Sequence, residues 1–167
     1  QSGTDIAVFD SRSYAEYHTN SLPDAISVPG AELVYRFKDL VPSPDTLVVV
    51  NCGGRTRSII GAQSLINAGI PNPVMALKDG TMGWQLAGLT CASGETEHAP
   101  QPEGEALQAA KDRAAHVASR FGVRRTDSAT VSRWYKLCAR YAVSVVEALR
   151  SGSCFCACYL KWCSRRM

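Results

Sequence analysis

The run Leu47-Val48-Val49-Val50-Asn51-Cys52-Gly53-Gly54-Arg55-Thr56-Arg57-Ser58 constrains this chain more than any other stretch. Four apolar residues in succession predict a strand covered on both faces, as in a parallel sheet with helices on either side. Behind it, Ile59, Ile60, Ala62, Leu65 and Ile66 fall on one helical stripe over residues 58–68. A thiol therefore sits in a strand-to-helix turn, at the carboxyl end of a parallel strand, where open α/β sheets place their ligands. The amides of such a turn and the N-terminus of the helix favour negative charge. They suit a thiolate and an anionic substrate held above it, and the thiolate is the nucleophilic form of cysteine.

The rest of the first hundred residues repeats the alternation. Ile6-Ala7-Val8-Phe9, Ile26-Ser27-Val28 and Val74-Met75-Ala76-Leu77 read as further strands, and helices are predicted over 14–17, 31–37 and 80–86. Asn67-Ala68-Gly69 reads as a helix end with glycine in the left-handed cap. The fold class is α/β, a small parallel sheet with helices on both faces, plus a helical C-terminal extension. A length of 167 residues suits one domain with such an extension.

The loop spacing narrows the chemistry. Two glycines let the backbone curl close to a ligand, and Arg55 and Arg57 put cations beside the thiol; both features are expected to lower its pKa. Arg57 stands five positions after Cys52. A tyrosine-phosphatase loop has its arginine six positions on, where this chain has Ser58. The shorter loop makes a smaller cradle, tight for a phosphoryl group.

Cys52-Gly53-Gly54-Arg55-Thr56-Arg57 resembles the six-residue active-site loop of the rhodanese family of sulfurtransferases. Three other stretches agree and stand in the family's order. Phe9-Asp10-Ser11-Arg12-Ser13-Tyr14-Ala15-Glu16-Tyr17 is similar to its strand-ending Asp-x-Arg with a following Glu-aromatic pair. Leu22-Pro23-Asp24-Ala25-Ile26-Ser27-Val28-Pro29-Gly30 is similar to its Ile-Pro-Gly-Ala-x-Asn-Val-Pro turn, and Leu77-Lys78-Asp79-Gly80-Thr81-Met82-Gly83-Trp84 to its Leu-x-Gly-Gly-x-x-x-Trp signature. The departures are Asn20-Ser21 for a common Gly-His, Asp79 for the first glycine of Gly-Gly, and Arg55 where many single-domain members carry glycine. The Arg-Thr-Arg-Ser ending looks most like bacterial proteins with several rhodanese domains on one chain.

The resemblance implies a sulfurtransferase in which Cys52 takes a sulfane sulfur from thiosulfate or a similar small anionic donor and passes it to a thiol or cyanide acceptor. Gly53, Gly54, Arg55, Thr56, Arg57 and Ser58 would bind the substrate. No metal or organic cofactor is implied. Asp10 and Arg12 read as a structural pair at a strand end, and Trp84 as core under the last helix. The rivals are a non-catalytic interaction module and a phosphatase or arsenate reductase on the same fold.

The resemblance runs over residues 5–88 and implies a rhodanese-like domain over 1–92, whose usual opening strand and helix precede the point at which this sequence starts. Residues 93–104 read as a linker, 105–122 as a helix ended by Gly122, and 123–136 as the opening of a next rhodanese unit. We expect 123–134 to fill the place of the absent strand, in this chain or in a neighbouring copy. Residues 137–167 form an atypical Cys-rich basic tail with Cys138, Cys154, Cys156, Cys158 and Cys163. Successive Cys-x-Cys steps fit zinc spacing poorly.

The net charge of +3 hides an uneven spread. Residues 1–100 carry six Lys and Arg against ten Asp and Glu, and residues 101–167 carry twelve against five. No nucleic-acid reader motif accompanies the basic end, so it reads as a solvated helix face. The opening Gln1-Ser2-Gly3-Thr4-Asp5 has no basic, apolar leader, and no run reaches the ~20 apolar residues of a membrane helix. A cytoplasmic location without membrane or nucleic-acid partners is expected, and it suits a working thiol.

Overall fold

The computed structural model describes residues 5–41 and 43–137. These divide at Val123–Arg124 into two compact units. In the first, four strands, β1 (Ile6–Asp10), β2 (Ile26–Ser27), β3 (Leu47–Asn51) and β4 (Val74–Ala76), form one parallel sheet in the order β2-β1-β3-β4. The helices are α1 (Tyr14–Thr19), α2 (Leu33–Leu40), α3 (Arg57–Asn67), α4 (Gly80–Leu86) and α5 (Gly104–Arg120). The helix predicted over 31–37 begins as a short 3-10 turn, Gly30–Glu32, and continues as α2 to Leu40. Pro29 precedes it, and no side chain caps either piece.

Both faces of the sheet are covered. On one, Phe9, Val48 and Val50 pack with Leu33 and Phe37 of α2 and Ala62 and Leu65 of α3. Phe9 and Phe37 meet edge to face, with ring centroids 6.4 Å apart. On the other face Val8 packs with Tyr17 of α1, Leu22, Ala25, Leu77 and Trp84 of α4. The Tyr17 hydroxyl donates to the Ala25 carbonyl at 2.8 Å, which satisfies its one polar atom inside that cluster. Helix α3 ends as its sequence predicts: Gly69 is left-handed, and the Ile70 amide donates back to the Leu65 carbonyl at 3.3 Å.

The predicted linker lies along the outer edge of β2. Ser21 and Ala92 exchange both backbone hydrogen bonds at 2.9 Å, and Ser27 bonds through its two backbone groups to Glu97 and Ala99, each at 3.1 Å. These contacts occupy backbone groups that a short edge strand would otherwise present unpaired. Helix α5 then buries Ala106 and Ala110 and packs on α2, with small side chains allowing close approach. It closes through a Val123 amide that donates to the Ala118 carbonyl at 2.9 Å.

In the second unit residues 128–137 are helical, and Asp127 accepts the Thr130 amide at 2.6 Å as an N-cap. Among the described residues 123–127 form no strand, and the sheet takes none from them. The expectation that 123–134 completes the sheet within its own chain is therefore corrected. Val123 spends its amide closing α5, and Asp127 caps the helix that follows. The Cys-rich tail, 138–167, lies outside the described residues. Among the described residues no helix is long and apolar enough to cross a membrane.

Leu65 is fully buried between α3 and the sheet. Leu65→Ala is expected to cost about 2–5 kcal/mol, read as a lower urea midpoint with an unchanged slope.

Candidate active site

The sheet order brings three strand ends together. Asp10 of β1 is in register with Asn51 of β3, and the Leu77 amide at the end of β4 donates to the Val50 carbonyl at 2.9 Å. Asp10 and Arg12 are almost wholly buried and paired: Arg12 Nη2 lies 2.7 Å from Asp10 Oδ2, and its Nε donates to Oδ1 at 2.9 Å. The Arg12 backbone amide adds a bond to Oδ1 at 3.0 Å. Arg12 Nη1 and Nη2 also donate to the side chain and the carbonyl of Asn20, so the residue that departs from the family's glycine completes this cage. Asn51 Nδ2 donates to Asp10 Oδ2 and to Thr81 Oγ1, each at 3.1 Å. Asp10 and Arg12 thus brace the end of β3 directly below Cys52 and do not reach the thiol.

Cys52 is 1% exposed. Its Sγ donates to Ser58 Oγ at 3.3 Å, and the Gly54 amide donates to Sγ at 3.4 Å. Once the thiol ionises, the Ser58 hydroxyl can rotate to donate. Burial pushes the Cys52 pKa up, but the Ser58 hydroxyl and the amides of Gly54, Ser58 and Arg55 outweigh it, and the net direction is down. Hydrogen bonds from the turn, more than the arginine charges, lower the thiol's pKa. Thr56 ends the turn without capping α3 through its side chain and is exposed. The first-turn amides of α3 are thereby left for an anion.

Only the second glycine is demanded by geometry. Gly54 has φ 128°, and a Cβ there would come within 2.7 Å of the Asp79 carbonyl oxygen. A Cβ at Gly53 would meet nothing closer than 3.6 Å. From the other side Gly80, at φ 51°, lies so close that its Cβ would stand 2.1 Å from the Cys52 carbonyl oxygen. Asp79 is itself left-handed, φ 57°, which explains why glycine suits this position in the family signature. Trp84 is half-buried: it packs on the Tyr17 cluster and donates its Nε1 hydrogen to the Thr90 carbonyl at 3.0 Å.

The two loop arginines part company. Arg57 makes a bidentate pair with Glu16 of α1, with both contacts at 2.7 Å. Glu16 also accepts from the amide and hydroxyl of Ser13, completing a capping box that the Ser13-x-x-Glu16 spacing already spells. Arg57 is therefore a tie between α3 and α1, not a free cation beside the thiol. Arg55 is exposed and forms no ion pair among the described residues. Among the described residues no cluster of three or more His, Cys, Asp or Glu could hold a metal ion.

A thiol held this way, over a parallel sheet and a buried Asp-x-Arg brace, defines a class of domain. The sequence model of the rhodanese-like domain family matches residues 1–87, and the chain belongs to that family. It is 52% identical to a thiosulfate sulfurtransferase of Pseudomonas aeruginosa whose crystal structure superposes with a TM-score of 0.74, over 79% of this chain and 25% of that one. An HTH-type transcriptional regulator of Mycobacterium tuberculosis is 31% identical over 90 residues, 54% of this chain and 39% of the regulator. A protein of Anabaena shares the fold at 20% identity and a TM-score of 0.51, over 56% of this chain and 82% of that one. The chain thus spans well under half the length of the regulator and of the sulfurtransferase.

Two outcomes follow from this geometry. Alkylation of Cys52 by iodoacetamide, followed by peptide mass mapping against pH, is expected to inflect below the ordinary thiol range. The Arg57 contact, set against desolvation, holds Glu16 down at about 2 from an ordinary 4.5. Its contribution to stability is present above 4.5 and lost as pH falls through about 2. Both partners are more than a third exposed, so solvent screening keeps this to about 1 kcal/mol at most. Glu16→Gln is expected to lower the urea midpoint slightly at pH 7 and to leave it unchanged near pH 2.

Proposed function

We propose that the chain is a sulfurtransferase that carries sulfane sulfur on Cys52. The thiolate attacks the outer sulfur of thiosulfate or a similar donor. A new S–S bond forms, the donor's own S–S bond breaks, and sulfite leaves with its electron pair. A thiol or cyanide acceptor then takes the terminal sulfur and returns Cys52 to the thiolate, so one hard step becomes two easier ones.

The observation that carries this reading is the pair of groups on Cys52 Sγ: the Gly54 amide donates to it, and the Ser58 hydroxyl, which accepts from the thiol, can turn to donate once the thiol ionises. Such preorganised donors stabilise a sulfur anion as an oxyanion hole does an alkoxide. Exposed Arg55 is the cation available to draw in the anionic donor. The loop from Cys52 to Arg57 has six residues, a span short for a phosphoryl group, and Arg57 is tied to Glu16. The 52% identity to a thiosulfate sulfurtransferase supports the same choice. The reaction draws on no metal or organic cofactor, and its location is expected to be cytoplasmic.

Intact-protein mass after brief thiosulfate treatment tests the reading. The wild type should gain one sulfur atom and lose it to cyanide, and Cys52→Ser should gain none. A folded wild type that takes no sulfur from thiosulfate would favour an interaction module.

A further inference from the structure

Thr81 lies outside the active-site loop, on the first turn of α4, and is 3% exposed. Its backbone amide donates to the Cys52 carbonyl at 2.8 Å, and its hydroxyl donates to the same oxygen at 3.2 Å. The hydroxyl oxygen in turn accepts from Asn51 Nδ2 at 3.1 Å. Asn51 is fully buried, and its Oδ1 has no partner among the described residues. Turning that amide over would set a carbonyl oxygen against the Asp10 carboxylate, so the Asn51 amide has one orientation. It fixes the Thr81 oxygen as acceptor, and the Thr81 proton is left to point at Cys52.

A carbonyl held by two donors cannot swing. The peptide from Cys52 to Gly53 is planar, so anchoring its oxygen fixes the direction in which the loop departs. The next amide along, Gly54 N–H, is the one that reaches Sγ. The same anchor keeps the negative end of the Cys52 carbonyl turned toward α4, away from the sulfur. A buried polar atom left unpaired is costly. The orphaned Asn51 Oδ1 marks a place where the fold accepts that cost to hold this geometry.

We propose that Thr81 is a positioning residue for Cys52: with Asn51 it clamps the Cys52 carbonyl and presets the loop amides that stabilise the thiolate and its persulfide. The persulfide part rests on the sulfur-transfer reading; the thiolate part does not. Arg55 and Arg57 on the loop, Glu16 on α1, Asp10 and Arg12 after β1, and Lys78 and Asp79 before α4 carry the charge around this turn, and the variants below leave all of them in place.

The test compares Thr81→Val, isosteric but without the hydroxyl, with Thr81→Ser, which keeps it. Iodoacetamide alkylation of Cys52 is followed against pH, alongside sulfur loading from thiosulfate. Thr81→Val should be alkylated about three- to tenfold more slowly at pH 7, with its inflection moved up, and Thr81→Ser should match the wild type. If valine prevents folding, Thr81→Ala against Thr81→Ser makes the same comparison, because both lack the methyl group and differ only in the hydroxyl. A wild-type profile for the variant without the hydroxyl overturns the proposal. So does equal impairment with and without the hydroxyl, the mark of a packing effect. Wild-type protein that loads no sulfur, with the alkylation shift present, removes the sulfur-transfer reading and leaves the clamp standing.

Discussion

The buried pair of Asp10 and Arg12 is the interaction on which the site depends. A charge without a partner at that depth costs several kcal/mol, and the pair is tolerable because nearly every polar atom is bonded. Asp10 accepts from the Arg12 guanidinium, the Arg12 amide and Asn51; Arg12 also donates to Asn20. The network therefore ties the end of β1, the end of β3 and the chain after α1 into one rigid floor. Ser11 strengthens it, bonding through both amide and hydroxyl to the Asn51 carbonyl. Cys52 is the next residue.

Above that floor the thiol sits in a turn closed from two sides. Helix α4 holds the Cys52 carbonyl through Thr81 and crowds the turn with Gly80. Helix α3 supplies Ser58 and its free N-terminal amides, and it is moored to α1 by Arg57 and Glu16. The apolar clusters on the two faces of the sheet hold these helices in place. Stability and reactivity thus share residues: the groups that rigidify the turn also lower the thiol's pKa.

Much of this was legible in the sequence. The apolar run into Cys52 marked β3, and the apolar residues after it marked α3 as a helix but not its buried face: Ser58, Gly61, Ala62 and Leu65 are buried, while Ile59, Ile60 and Ile66 are exposed. The strand ends and the Gly69 cap were readable for local reasons. The pairing of Asp10 with Arg12 was expected because the two are only two residues apart. Where the reading went astray, contacts distant in sequence decided. Arg57 looked like a cation beside the thiol until Glu16, far away in the chain, took both its nitrogens. Gly53 looked necessary, but only Gly54 faces a wall, and that wall is Asp79.

The sequence by itself determined the class of fold, the place of a cysteine in a strand-to-helix turn and the six-residue length of its loop, since periodicity, residue chemistry and local spacing are properties of short segments. Only the tertiary structure decided the order β2-β1-β3-β4, which sets Asp10 beside Asn51, and the approach of Thr81 to the Cys52 carbonyl. Those contacts join residues 29 to 41 positions apart. No local pattern encodes them, because they exist only once burial of the apolar faces has brought the strand ends together.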